Sequence, residues 1–129
     1  MYYFYILLAN VCFNNAVGVA EPGIIPDNQM KASSYYYNSY LERNYSAYYG
    51  RLNETRGGSW CTQRCCASHD WLQVDLGKST EICGVATQGN GDDIYNSWVT
   101  DFKLSFSSDG SGWTAYSDGS EVVRIDLYT

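Results

Sequence analysis

The sequence predicts an all-β domain, a sandwich or barrel of short strands. Three observations point there. Apolar and polar residues alternate with period two in several short segments. Gly-, Ser- and Asp-rich turns separate those segments. No segment carries a convincing amphipathic helical pattern. The chain has 129 residues, one domain's worth and enough to bury a core.

The clearest strand is Trp71-Leu72-Gln73-Val74-Asp75-Leu76, with Leu72, Val74 and Leu76 on one face and Gln73 and Asp75 on the other. Gly77-Lys78-Ser79 turns the chain, and Ile82 to Thr87 reads as the next strand. Trp98 to Ser107 follows, with Phe102, Leu104 and Phe106 on its apolar face and Lys103 and Ser105 opposite. Ser108-Asp109-Gly110-Ser111-Gly112 is a turn signal. Trp113 to Tyr116 is a short strand, and Val123, Ile125 and Leu127 alternate once more. The stretches Tyr35 to Asn53, Trp60 to Asp70 and Gly89 to Ser97 read as long loops, where function concentrates on a rigid β scaffold.

Composition narrows the function. Hydrophobic residues make up 45% and charged residues 17%, so the chain can fold. Eight Lys plus Arg stand against 14 Asp plus Glu, a formal charge of -6. That balance excludes nucleic acid as a natural partner, because phosphates demand a positive face. It also weighs against anionic lipid. Seven of the 13 tyrosines fall between Tyr35 and Tyr49. A tyrosine joins a flat apolar face to a hydroxyl, which suits a binding surface, although such residues also pack the base of a loop.

Five cysteines, Cys12, Cys61, Cys65, Cys66 and Cys83, point to an oxidising, extracellular setting. The sequons at Asn44 and Asn53 agree with it and make both asparagines candidate glycosylation sites. Residues 1–11 form an apolar N-terminal segment, a candidate signal remnant that lacks the leading positive charge of a signal peptide.

Catalytic chemistry is not expected. His69, the only histidine, lies beside Asp70 with no serine nucleophile motif to serve. Cys61, Cys65, Cys66 and His69 include enough ligand types for zinc, but their spacing repeats no finger pattern, and disulfides are the more economical account. Asp92-Asp93 lacks the acidic spacing of a calcium loop. No cofactor or metal is expected.

The strings also resemble a known family. Gly23-Ile24-Ile25-Pro26-Asp27-Asn28-Gln29-Met30 followed by Ala32-Ser33-Ser34, then Arg51-Leu52-Asn53 and Trp60, then Asp70-Trp71-Leu72-Gln73-Val74-Asp75-Leu76-Gly77 occur in the order seen in discoidin, or coagulation factor 5/8 type C, domains. Gly84-Val85-Ala86-Thr87-Gln88-Gly89, Trp98-Val99-Thr100 and Lys103-Leu104-Ser105-Phe106-Ser107, with Asp109-Gly110 before Trp113, continue the match.

The resemblance implies a jelly-roll β-sandwich of the galactose-binding-domain type, spanning residues 12–129, with no enzyme activity. Its binding loops gather at one end and take phospholipid head groups, sugars, collagen or other proteins. In this sequence those loops bring Tyr36, Tyr37 and Tyr40, then Arg64, then Asp92, Asp93 and Tyr95. A competing expectation has Tyr36 and Tyr37 folded back, leaving Tyr40 exposed.

Family members bridge their termini with cysteines. Cys12 matches the first, no cysteine follows Cys83, and the last family strands are not visible, so the domain is expected to be C-terminally truncated. The strand at Val122 to Leu127 is then expected to leave open edges. A Cys61–Cys83 disulfide is expected across the Trp71–Leu76 strand. The expected function is a secreted or extracellular adhesion module that recognises a carbohydrate or protein. Phospholipid ranks next, and a purely structural role in a larger extracellular protein is the alternative.

Overall fold

A computed structural model describes residues 3–4, 6–10, 15–54, 58–64, 69–82, 84–90, 97–117, 122–123 and 126–128. The described strands, in chain order, are β1 (Tyr3–Phe4), β2 (Ile6–Asn10), β3 (Asn15–Ala16), β4 (Met30–Ala32), β5 (Tyr37–Asn38), β6 (Arg43–Asn44) and β7 (Trp60–Cys61). They continue with β8 (Leu72–Asp75), β9 (Gly84–Thr87), β10 (Ser105–Ser107), β11 (Thr114–Ser117), β12 (Val122–Val123) and β13 (Asp126–Tyr128). Short 3-10 turns at Asp27–Gln29 and Ala47–Gly50 are the only helical pieces among the described residues. The fold is all-β, as the alternation predicts.

A six-stranded sheet runs in the order β12-β11-β10-β13-β8-β4, and a three-stranded sheet in the order β3-β2-β9. The strands β1–β7 and β5–β6 form two further pairs. β2 lies N-terminal to the domain boundary expected at residue 12, and it pairs with β9 through Ile6 opposite Thr87 and Ala9 opposite Gly84.

The core forms where the faces of the sheets meet. Val19, Ile25, Met30, Ala47, Trp60, Leu72, Val74 and Leu76 are its buried members, with Val85, Phe102 and Leu104 packed against them. β8 behaves as its alternation demands: Leu72, Val74 and Leu76 are buried, while Gln73 and Asp75 are half-exposed. Gly77, at φ 70°, ends the strand in a left-handed turn that its amide fastens to Asp75 Oδ1 at 2.8 Å. Gln29 Nε2 donates to the Asp75 carbonyl at 2.8 Å and ties the 3-10 turn to the same strand end.

Two expectations need correction. The strand expected over Trp98 to Ser107 is regular only at Ser105–Ser107. Its parity is right but its burial is not: Phe106 is 47% exposed, whereas Ser105 and Ser107 are buried. Alternation decides which residues share a face, but neighbouring elements decide which face is covered. Likewise the single strand expected from Val122 to Leu127 is two strands. β12 lies at the sheet edge, but β13 runs parallel to both β8 and β10 in the sheet interior, with Leu127 opposite Val74 and Phe106. Both edges of β13 are therefore paired.

Arg51 is 1% exposed and acts as an internal tie. Its guanidinium donates to the carbonyls of Val19 and Ile25 and to Asp27 Oδ1, the last two at 2.8 Å. The fork geometry of arginine suits this multiple capture. It fixes the Val19–Asp27 segment against the 3-10 turn that closes the tyrosine-rich loop.

Candidate functional site: the loop end of the sandwich

Two loops take root beside one another because strand pairing brings their ends together, and a side-chain hydrogen bond ties the root of a third to the end of the first. β4 runs antiparallel to β8 with Ala32 opposite Leu72, so the start of the first loop meets the end of the second. The Ser33 amide donates to the Trp71 carbonyl at 3.0 Å, and the Trp71 amide donates to Ser33 Oγ at 3.0 Å. Asp70 Oδ1 accepts from Ser33 Oγ at 2.7 Å and from Ser34 Oγ at 3.0 Å. Ser34 Oγ in turn accepts from the Gln63 amide at 3.1 Å, and the Ser34 carbonyl accepts from Trp60 Nε1 at 2.9 Å. This clip joins the first loop to both ends of the second. The third loop joins through its root, where Gln88 Oε1 accepts from the Asn53 amide at 3.1 Å and the Asn90 amide donates to the Ser97 carbonyl at 2.8 Å.

Within the first loop, the sequence makes a small hairpin of β5 and β6, with Tyr37 opposite Asn44 and Asn38 opposite Arg43. Asn38 Oδ1 accepts from the amides of Tyr40 and Leu41 at 3.0 and 3.1 Å, an Asx-type cap that organises the tip. Glu42, at φ 48°, reverses the chain.

The hairpin sorts the tyrosines. Tyr36 is half-buried, with its ring 5.8 Å from that of Tyr45, which packs with Cys61 in a second small core. The Arg43 guanidinium lies 5.5 Å from the Tyr45 ring centre and caps this stack. Tyr37 is 53% exposed and Tyr40 98% exposed. The competing expectation thus holds for Tyr36 and fails for Tyr37. Arg64 is exposed and follows Gln63, the residue held by Ser34. Asp92, Asp93 and Tyr95 lie outside the described residues, as does Cys83, the expected partner of the buried Cys61.

Asn44 is half-buried, and its Oδ1 accepts from Ser46 Oγ at 2.9 Å. Asn53 is exposed at φ 55°. His69 is exposed. Cys65 and Cys66 lie outside the described residues, among which no group of three metal-ligand side chains gathers.

Sequence reasoning missed Leu41, which is 64% exposed beside Tyr40 at the tip. Its signal was the turn-forming Asn38-Ser39 pair just before it. It also missed the Ser33–Ser34–Asp70 clip, for which no local pattern exists: the partners are 36 and 37 positions apart. Trp98, read as the start of a strand and as a family landmark, is 58% exposed at the root of the third loop.

A β scaffold that gathers three clipped loops at one end and lifts aromatic and aliphatic side chains into water is the layout of a binding module. Comparison with known proteins agrees. The F5/8 type C domain description matches residues 29–127. Lactadherin from Sus scrofa is 37% identical over 108 residues, which is 78% of this chain and 26% of the relative. Lactadherin from Mus musculus is 38% identical over 114 residues, 82% of this chain and 24% of the relative. Coagulation factor VIII from Sus scrofa is 35% identical over 101 residues, 77% of this chain and 5% of the relative.

The chain belongs to the F5/8 type C, or discoidin, family. It spans about a quarter of the length of the lactadherins it matches. No solved structure matches at a significant level.

Proposed function

We propose that this chain is an extracellular, non-catalytic recognition module that docks through the tip of the β5–β6 hairpin onto a protein partner. The observation that carries the reading is the tip itself: Tyr40 and Leu41, 98% and 64% exposed, on a turn tied to Asn38. A lone exposed apolar residue needs no explanation. Two adjacent ones, on a turn whose amides are already bonded, form a preorganised anchor of the kind that dominates interface energetics.

The tip is convex. Small-ligand sites are concave, so it suits a dent on a protein better than it could enclose a sugar ring. Of the two ligand classes expected from sequence, the geometry favours protein over carbohydrate. Arg64, exposed near the hairpin root, offers a charged contact at the rim. Asp92, Asp93 and Tyr95 remain proposed contributors from the third loop.

One observation favours a second reading, a phospholipid surface. Tyr40 and Leu41 together combine an amphipathic ring with an aliphatic side chain, a pair suited to the membrane interface. The formal charge of -6 then favours zwitterionic over anionic head groups.

The test compares the parent with Tyr40→Ala and Leu41→Ala on arrays of matrix proteins and glycans, and on vesicles of phosphatidylcholine with and without phosphatidylserine. The expected result is a protein ligand whose affinity falls by about 1 kcal/mol or more in each variant, with unchanged folding by circular dichroism. Vesicle binding that both variants lose, with no protein ligand, would select the second reading. Variants that match the parent on every surface would sink the hairpin-tip site.

A further inference from the structure

The β5–β6 turn runs from Ser39 to Glu42, and Glu42 closes it in the left-handed region at φ 48°. Glycine or asparagine adopts that conformation readily, whereas a longer L side chain is strained there. Asn53 is the other non-glycine residue of this kind among the described residues, and it is of the tolerant type. Glu42 is not. A residue held in a sparsely populated backbone region, where a common alternative would make the same turn, points to a function for its side chain.

Glu42 is exposed and directly follows Tyr40 and Leu41. Arg43, the next residue, is engaged elsewhere, its guanidinium 5.5 Å from the centre of the Tyr45 ring. Among the described residues the Glu42 carboxylate meets no hydrogen-bond donor and no cation. The turn thus presents a ring, an aliphatic side chain and a full negative charge at three successive positions, on a backbone fastened to Asn38. A carboxylate beside two apolar anchors discriminates between dents on other proteins: it is repelled by an acidic rim and drawn to a basic one. The formal charge of -6 adds a field of the same sign.

We propose that Glu42 is a specificity-determining residue of the hairpin tip, and that the partner is a basic protein surface with a lysine or arginine at the rim of the apolar dent that takes Tyr40 and Leu41. This rests on the hairpin-tip docking proposed above and narrows the chemistry of the partner. A charge at the rim acts mainly on encounter, so Glu42 governs the association rate and its salt dependence, while the two apolar side chains govern how long the complex lasts.

The test measures association and dissociation rates of the parent, Glu42→Gln, Glu42→Asn, Tyr40→Ala and Glu81→Gln on immobilised matrix proteins, with thermal unfolding of each variant alongside. Glu42→Gln is expected to slow association about threefold, to leave dissociation and the unfolding midpoint unchanged, and to match the parent at about 1 M salt, where screening is complete beyond about 3 Å. Glu42→Asn should bind as weakly and unfold at a higher temperature, because asparagine relieves the strained turn. Glu81 is exposed beyond the Gly77 turn, at the end of β8 away from the loops, so Glu81→Gln removes an equal charge and should leave binding unchanged. If Tyr40→Ala loses binding while both Glu42 variants bind like the parent, the proposal is overturned and the hairpin-tip site stands. Equal slowing in Glu81→Gln would also overturn it, because net charge alone would then act. A lower unfolding midpoint in Glu42→Gln would do the same, since the carboxylate would then serve a cation of its own chain. A parent that binds none of these proteins, or a Tyr40→Ala variant that binds as the parent does, would overturn the hairpin-tip site and this inference together.

Discussion

Arg51 and Asp109 carry polar roles that their surroundings make unequal. Arg51 is buried and holds two backbone carbonyls and Asp27, whose side chain is 38% exposed. Water screens the ion-pair share on the Asp27 side, so most of the loss on removing the guanidinium comes from stranding buried acceptors. Arg51→Ala is expected to destabilise by about 2–5 kcal/mol, read from urea unfolding midpoints. Asp27→Asn should lose about 1 kcal/mol or less; equal losses in the two variants would contradict this division.

Asp109 sits in the predicted turn. Its Oδ1 accepts from the amides of Gly112 at 3.0 Å and Ser111 at 2.8 Å and from Ser107 Oγ at 3.1 Å. The Gly112 and Ser111 amides, then the hydroxyls of Ser111 and Ser107, hold its carboxyl well below the usual carboxylate range. A carboxyl depressed on folding stabilises fully above its unfolded pKa of about 3.9 and loses that contribution as pH falls below it. The stability gap between parent and Asp109→Ala should therefore be constant near neutral pH and narrow below about pH 4. A gap unchanged down to pH 2 would show that the carboxylate contributes nothing.

The β5–β6 hairpin is too short to stand alone, since an isolated two-stranded hairpin is marginal at best in water. It borrows rigidity at both ends: from the Asn38 cap at the tip, and from the Ser33–Ser34–Asp70 clip and the Tyr36–Tyr45 stack at the root. Asp70→Ala removes the shared acceptor of two hydroxyls. It is expected to destabilise by about 1 kcal/mol and to speed exchange of the Tyr36 and Gln63 amides, with those of β8 unchanged. If all three regions exchange as in the parent, the clip does not couple the loops. At the same scale, β10 explains why apolar alternation misread burial. Ser105 and Ser107 are buried and Phe106 is 47% exposed, although all three border one groove: the small serines are covered there and the large ring is not.

For the whole molecule, β13 lies between β8 and β10, joining the C-terminal segment to the strand that bears the clearest sequence pattern. Cross-linking elsewhere should matter as much. We propose Cys83 as the partner of Cys61, a bridge that would close a loop of roughly twenty residues and stabilise by about 3 kcal/mol if unstrained. Peptide mapping without reductant should recover the two cysteines joined, and a Cys83 thiol that alkylates in the folded chain would exclude the bridge. The same mapping tests the sequons. Exposed Asn53 is the expected site of glycan occupancy, whereas half-buried Asn44, held by Ser46, has less room for one.

The amino-acid order by itself determined the all-β class, the buried face of β8, the turn at Ser108–Gly112 and the gathering of tyrosines in one loop. Each is a local property: period-two patterning, turn chemistry or composition, readable within a few residues. Its motif order also identified the family. Only the tertiary structure decided that Tyr36 folds back while Tyr37 and Tyr40 stand in water, that Leu41 shares the tip, and that Phe106 borders a groove. It alone revealed Asp70 as the link between loops and placed β13 in the sheet interior. Burial and hydrogen-bond partnership depend on what the rest of the chain places opposite a residue. Parity along a strand sets which side chains share a face, but the cover on that face comes from segments tens of positions away, whose arrival no local pattern records.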